Sequence, residues 1–152
     1  MSKTWTRMAA AAGLAAAMMA CGGCATAYRV NAVARGDGNA DFADAVAGDV
    51  RNELQGSGYR VLGPDGSAGW FRQQVDIDLK VSKKQEAKLD QWRSYEGKVK
   101  ASVQKKGTVV GEKTFTAQSG RVRSEEAGEE KMRETFADQI GDWLKKILNK
   151  AR

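Results

Sequence analysis

The sequence predicts a single α+β domain, ordered β-α-β-β-β-β-α, in which two helices pack on one face of an antiparallel sheet. Three observations carry this expectation. Val75, Ile77, Leu79 and Val81 alternate with Gln74, Asp76, Asp78, Lys80 and Ser82, the two-residue period of a strand with one covered face. Tyr95, Val99, Ala101 and Val103 repeat the pattern against Glu96, Lys98, Lys100, Ser102 and Gln104. Phe42, Val46, Val50 and Leu54 recur every fourth residue, and Met132, Phe136, Ile140, Trp143, Leu144, Ile147 and Leu148 form a second helical stripe. A sheet wet on one side is ordinarily antiparallel, and two striped helices suit its apolar side.

The elements follow in order. Tyr28, Val30, Ala32 and Ala34 alternate with Arg29, Asn31, Val33 and Arg35 as a first strand, broken by Gly36-Asp37-Gly38. Asn39 is placed to cap the first helix, whose stripe Ala43 and Ala47 widen, and Gly56 and Gly58 offer a left-handed stop. Tyr59 to Leu62 reads as a brief second strand, and residues 63–69, rich in glycine with one proline, as a loop. The third strand is expected over residues 74–82 and the fourth over residues 95–104. Lys105-Lys106-Gly107 is a tight-turn sequence, after which Thr108 to Gln118 returns as a strand around Val109, Phe115 and Ala117. Ser124 caps the last helix, Glu125 and Glu126 suit its positive first turn, and Lys145, Lys146 and Lys150 suit its negative end.

Ahead of this domain the chain carries an address. Lys3 and Arg7 precede an apolar stretch from Met8 to Ala20, and small residues lead into cysteine. The stretch is shorter than the roughly 20 apolar residues a bilayer-spanning helix needs. Residues 1–20 therefore read as a removable export signal, residues 21–27 as a flexible tether and residues 28–152 as the globular domain. Residues 21–152 suffice for one core and not comfortably for two. An ordinary secretory signal cut near Ala25 or Ala27, leaving a soluble periplasmic protein, is the plainer alternative.

Charge and composition exclude more than they identify. The chain carries 25 Lys and Arg against 19 Asp and Glu, and the signal segment holds two of the cations and none of the acids. The charges are interleaved, so a solvated surface is expected and a nucleic-acid partner is not. Lys145, Lys146, Lys150 and Arg152 do gather at the C-terminal end, which suits anionic lipid headgroups or peptidoglycan. Histidine is absent, which excludes Ser-His-Asp and Cys-His catalysis and removes the commonest metal ligand. Cys21-Gly22-Gly23-Cys24 has CxxC spacing, but outside any predicted element. Asp76 and Asp78 share a strand face about 7 Å apart. Pairing with Lys98 and Lys100 across the sheet explains them more simply than acid/base work. No catalytic residue, metal site or cofactor is therefore expected. Trp70 and Trp92 lie in polar surroundings near loop ends and are the expected partner contacts; Phe136 and Trp143 are expected in the core.

Met18-Met19-Ala20-Cys21, or Gly22-Gly23-Cys24, resembles the processing site of bacterial lipoproteins. That resemblance implies lipid on the sulfur and amine of the cysteine, with Cys21 favoured and Cys24 the alternative. With the β-α-β-β-β-β-α order, the chain resembles small envelope lipoproteins that lay two helices on an antiparallel sheet. These include the lipopolysaccharide-assembly lipoprotein and the lipoprotein activators of penicillin-binding proteins. The likeness is architectural and carries over no binding residue. It implies a non-enzymatic binding or assembly module, membrane-anchored through its N-terminal lipid and facing the periplasm, with an envelope protein as partner. Gly22 is not the aspartate that retains some lipoproteins at the inner membrane, so the outer membrane is favoured. The alternative function is a carrier holding a lipid or glycan between sheet and helices. The oligomeric state is left open.

Overall fold

A computed structural model describes residues 26–63, 66, 69 and 73–150. Strand β1 is Ala27–Ala34, helix α1 Ala40–Gly56, β2 Arg60–Val61, β3 Gln74–Leu89, β4 Trp92–Lys105, β5 Thr108–Gln118 and helix α2 Glu125–Lys150. The strands form one sheet in the spatial order β2-β1-β3-β4-β5.

The sheet is mixed, which corrects the antiparallel expectation. β1 runs parallel to both neighbours, with Tyr28 opposite Val61 on β2 and opposite Val75 on β3. Only β3 with β4, and β4 with β5, are antiparallel. The reason is the 17-residue α1, which returns the chain to the end of the sheet where β1 began; a strand entering there runs alongside β1, as helical crossovers require. Alternation along a strand reports which face is buried and says nothing about the direction of its neighbour.

One face does hold the core. Val30, Ile77, Leu79, Val81, Val99, Ala101 and Val103 are at most 1% exposed, beneath Phe42, Val46, Val50 and Leu54 of α1 and Met132, Phe136, Ile140 and Leu144 of α2. Each fully buried aliphatic or aromatic side chain contributes roughly 1.5–3 kcal/mol. Gly97 lies in line with this face, and a Cβ there would meet Phe136 Cε2 at 2.9 Å, so the absent side chain lets α2 settle onto β4.

Two strand predictions change. β3 extends seven residues past Ser82, because Lys83–Leu89 pair with Trp92–Gly97 in a hairpin whose outer β3 arm, Lys84 to Leu89, is exposed throughout. Both faces are wet there, so no alternation betrays the strand. The two-residue turn uses Asp90 at φ 51°. The second hairpin turns through Lys106 at φ 52° and Gly107 at φ 76°, as its sequence predicts. The register then slips between Val103 and Gln104, leaving Val110 unpaired, so Val109, expected inward, is 53% exposed.

The caps differ as well. Ser124 Oγ accepts the Ala127 N–H at 3.2 Å and caps α2 as expected. Asn39 precedes α1 but makes no side-chain cap; its Nδ2 donates to Arg35 O at 2.8 Å, closing the preceding turn instead.

Candidate functional site

Cys21, Cys24 and Trp70 lie outside the described residues. Trp92 is described, and it stands at the far end of the β3–β4 hairpin, 38% exposed. Leu89 is its cross-strand partner and is 71% exposed. Ala87, Leu89, Trp92, Arg93, Ser94 and Arg121 line a shallow cleft of about 170 Å³. The Arg123 guanidinium lies 5.0 Å from the centroid of the Trp92 ring, close enough for a cation–π contact. Val122 joins Arg93 in an isolated antiparallel bridge, which holds Arg121 and Arg123 beside the tip.

The sequence pointed to Trp92 and missed Leu89, Arg121 and Arg123. The alternating Arg121-Val122-Arg123 was the available signal, since an edge bridge sends both arginines to one side of Val122. At the base of the hairpin, six residues from the tip, Lys83 ties β3 to α2. Its side chain, 6% exposed, is held by Glu125 and Glu129 of α2 and lies 5.5 Å from the Phe42 ring centroid. Burial works against its charge, but the two carboxylates outweigh that and hold its pKa above the ordinary lysine value.

A second surface feature is an acidic groove of about 600 Å³ between the helices, lined by Asp49, Glu53, Glu130, Glu134 and Asp138 with Arg133 among them. Arg133 closes one end by a bidentate bond to Asp49, at 2.8 and 2.9 Å, and Lys145 Nζ meets Glu53 at 2.6 Å. Arg133 in the groove and Lys145 beside it thus join the helices.

A third, at the opposite end of the sheet from the hairpin tip, is a pocket of about 300 Å³ among Thr26, Tyr28, Gln73, Val75, Val103, Lys105, Val110 and Leu148. Between the layers, Phe42, Ile77 and Phe136 are at most 2% exposed, and Phe115 meets Trp143 edge to face at 5.6 Å.

Asp76 and Asp78 lie on the wet face, but not against lysines. The register sets them opposite Gln104 and Ser102. Asp78 accepts from Asn31 Nδ2 and Gln104 Nε2, each at 3.1 Å, and Asp76 accepts from Gln74 Nε2 at 2.7 Å. The expected ion pairs go elsewhere, Lys98 to Glu96 at 3.2 Å and Lys100 to Glu112 at 2.9 Å. No cluster of metal-ligating side chains occurs among the described residues.

No protein-family model and no curated protein sequence matches the chain. Solved structures do match. A point variant of the PelC dodecamer from Paraburkholderia phytofirmans is similar over 80% of this chain and 85% of its own, at 14% identity and a TM-score of 0.53. Protein XCC0632 from Xanthomonas campestris, of the DUF330 family, is similar over 84% of this chain and 88% of its own, at 13% identity and a TM-score of 0.51. A minor lipoprotein from Acinetobacter baumannii aligns over 80% of this chain and 94% of its own, at 10% identity and a TM-score of 0.49. At these identities PelC and XCC0632 share the fold with this chain and inform nothing else.

Proposed function

We propose that the protein is a lipid-anchored, non-enzymatic module of the bacterial envelope that docks a protein partner through the β3–β4 hairpin tip. The observation that carries the docking is the opposed pair Leu89 and Trp92, left in water at the end of a projecting hairpin and framed by Arg93, Arg121 and Arg123. Aromatic and arginine side chains around an apolar centre are the usual composition of binding hot spots. The anchor rests on the signal ending in Cys21 or Cys24, with Cys21 favoured. Outer-membrane placement rests on Gly22. The class of partner proposed, a component of an envelope assembly or transport complex, rests on the resemblance of the sequence to assembly and activator lipoproteins.

Two measurements test this. The intact mass of the mature N-terminus reads cleavage and acylation together, and an unprocessed cytosolic chain overturns the anchor. Co-purification from membranes, with the full protein and with Leu89→Ser/Trp92→Ser, tests the docking. The same partner should be retained by the first and lost by the second, since a central hot spot is worth at least ~2 kcal/mol, roughly thirtyfold in affinity. Equal retention, or no reproducible partner, removes it.

The ligand-carrier reading has one observation in its favour, the pocket beside Thr26, at the lower bound of about 300 Å³ for small-molecule sites. It opens at that end of the sheet, where Tyr28, Val75 and Val103 of the strands face Leu148 of α2.

A further inference from the structure

The end of the sheet opposite the hairpin tip has a composition that the proposed function leaves unused. Here β1 begins, β2 and β3 enter beside it, β4 turns into β5, and α2 finishes: Ala27 pairs with Arg60 and Gln74, Val75 with Lys105, and Leu148 shares a pocket with Thr26. Among the described residues 26–30, 59–63, 73–75, 103–111 and 143–150 there is no aspartate or glutamate; of the carboxylates that adjoin them, Glu53 in the last turn of α1 is taken up by Lys145 at 2.6 Å and Asp142 lies one turn before Lys146, while Arg60, Lys106, Lys146 and Lys150 are all exposed. Between these cations the bulge of β5 turns two adjacent valines to solvent, Val109 at 53% and Val110 at 45% exposure. A water-facing hairpin gains nothing from that pair.

The position of the tether identifies what covers them. Cys21 and Cys24 precede Thr26 by five and two residues, and five residues reach at most about 18 Å. The hairpin tip lies fifteen residues along β3 from Gln74, about 50 Å away. A chain anchored at either cysteine therefore presents this basic end to the bilayer and the tip to the space beyond it.

We propose that the β4–β5 turn and the last turn of α2 form a membrane-seating face, with Lys106, Lys146 and Lys150 over anionic headgroups and Val109 and Val110 in the interface. Each cation near an anionic surface strengthens attachment roughly fivefold at moderate salt. Two small aliphatic side chains add apolar contact without committing the domain to insertion. The face takes its orientation from the anchor proposed above; its chemistry does not depend on it.

The test places the photo-crosslinking residue p-benzoylphenylalanine at Val110 or at Leu89 in the full chain, reconstituted into phosphatidylglycerol or phosphatidylcholine vesicles. Lipid adducts are expected from position 110 and not from position 89. Their yield should be higher in phosphatidylglycerol, and should fall severalfold in Lys106→Glu/Lys146→Glu/Lys150→Glu with its circular dichroism unchanged. No adduct at 110, equal adducts from both positions, or indifference to lipid charge overturns the face. Intact mass of the same samples keeps the two readings apart. An acylated protein without adducts at 110 sinks the face alone, and an unacylated protein with them sinks the anchor alone.

Discussion

Tyr95 carries a buried hydroxyl that meets no hydrogen-bond partner among the described residues, and its ring is 3% exposed. An unpaired buried polar group costs about 1–3 kcal/mol. Tyr95→Phe should therefore leave the urea midpoint unchanged or raise it, and a clear loss of stability would reveal a partner for the oxygen. Lys83 is the opposite case, a buried charge fully engaged. Lys83→Met strands Glu125 and Glu129 side by side at the start of α2 and should cost about 1–3 kcal/mol by urea unfolding. Glu96 supplies a pH dependence. The Lys98 ammonium at 3.2 Å, helped by Lys84 at 3.6 Å, holds its carboxyl below the ordinary glutamate value of 4.5. A carboxylate with a depressed folded pKa stabilises above its unfolded value, and that contribution disappears as pH falls below about 4.5 through the folded value. Glu96→Gln should flatten the acid limb of the stability profile, as should salt, since both lysines are mostly exposed.

At the level of elements, two glycines of one chain should respond in opposite directions to the same added methyl. Gly97 sits where β4 meets α2, and a Cβ would reach Phe136 at 2.9 Å and Met132 Sδ at 3.3 Å. Gly97→Ala should lose about 1–3 kcal/mol by overpacking. Gly48 lies within α1, where an added Cβ would find nothing within 4 Å. Gly48→Ala should gain about 0.5–1 kcal/mol, because alanine restricts the unfolded chain and favours the helix. Paired thermal melts of the two variants check both signs. The elements also show how far pattern reading reaches. The stripes of α1 and α2 and the buried faces of β3 and β4 are legible because one side of each is dry. The outer half of β3 is not, since a hairpin wet on both faces leaves no period to read. Val109 reads as inward in the sequence because a bulge is a property of two paired strands, invisible in either alone.

For the molecule as a whole, the fold sets two dissimilar ends about 50 Å apart along β3, one apolar with arginines and one basic with two exposed valines. Leu89→Ser/Trp92→Ser changes only exposed positions, so it should leave the melting temperature within a degree or two while abolishing partner retention. A large drop in melting temperature would place the pair in the stability of the body. The chain's own order of residues determined the element types and the buried faces of the helices and of β3 and β4, because each is a local matter of period, size or charge; the export signal with Cys21 or Cys24, and Trp92 as a contact, are read from the same local features and belong to the proposal. Strand direction, the pairing of Leu89 with Trp92, the partners of Asp76 and Asp78, and the gathering of Arg60, Lys106, Lys146 and Lys150 at one end were decided only in three dimensions. Each depends on which distant segments the crossover through α1 and the two hairpin registers bring together, and that is settled by the packing of the whole core.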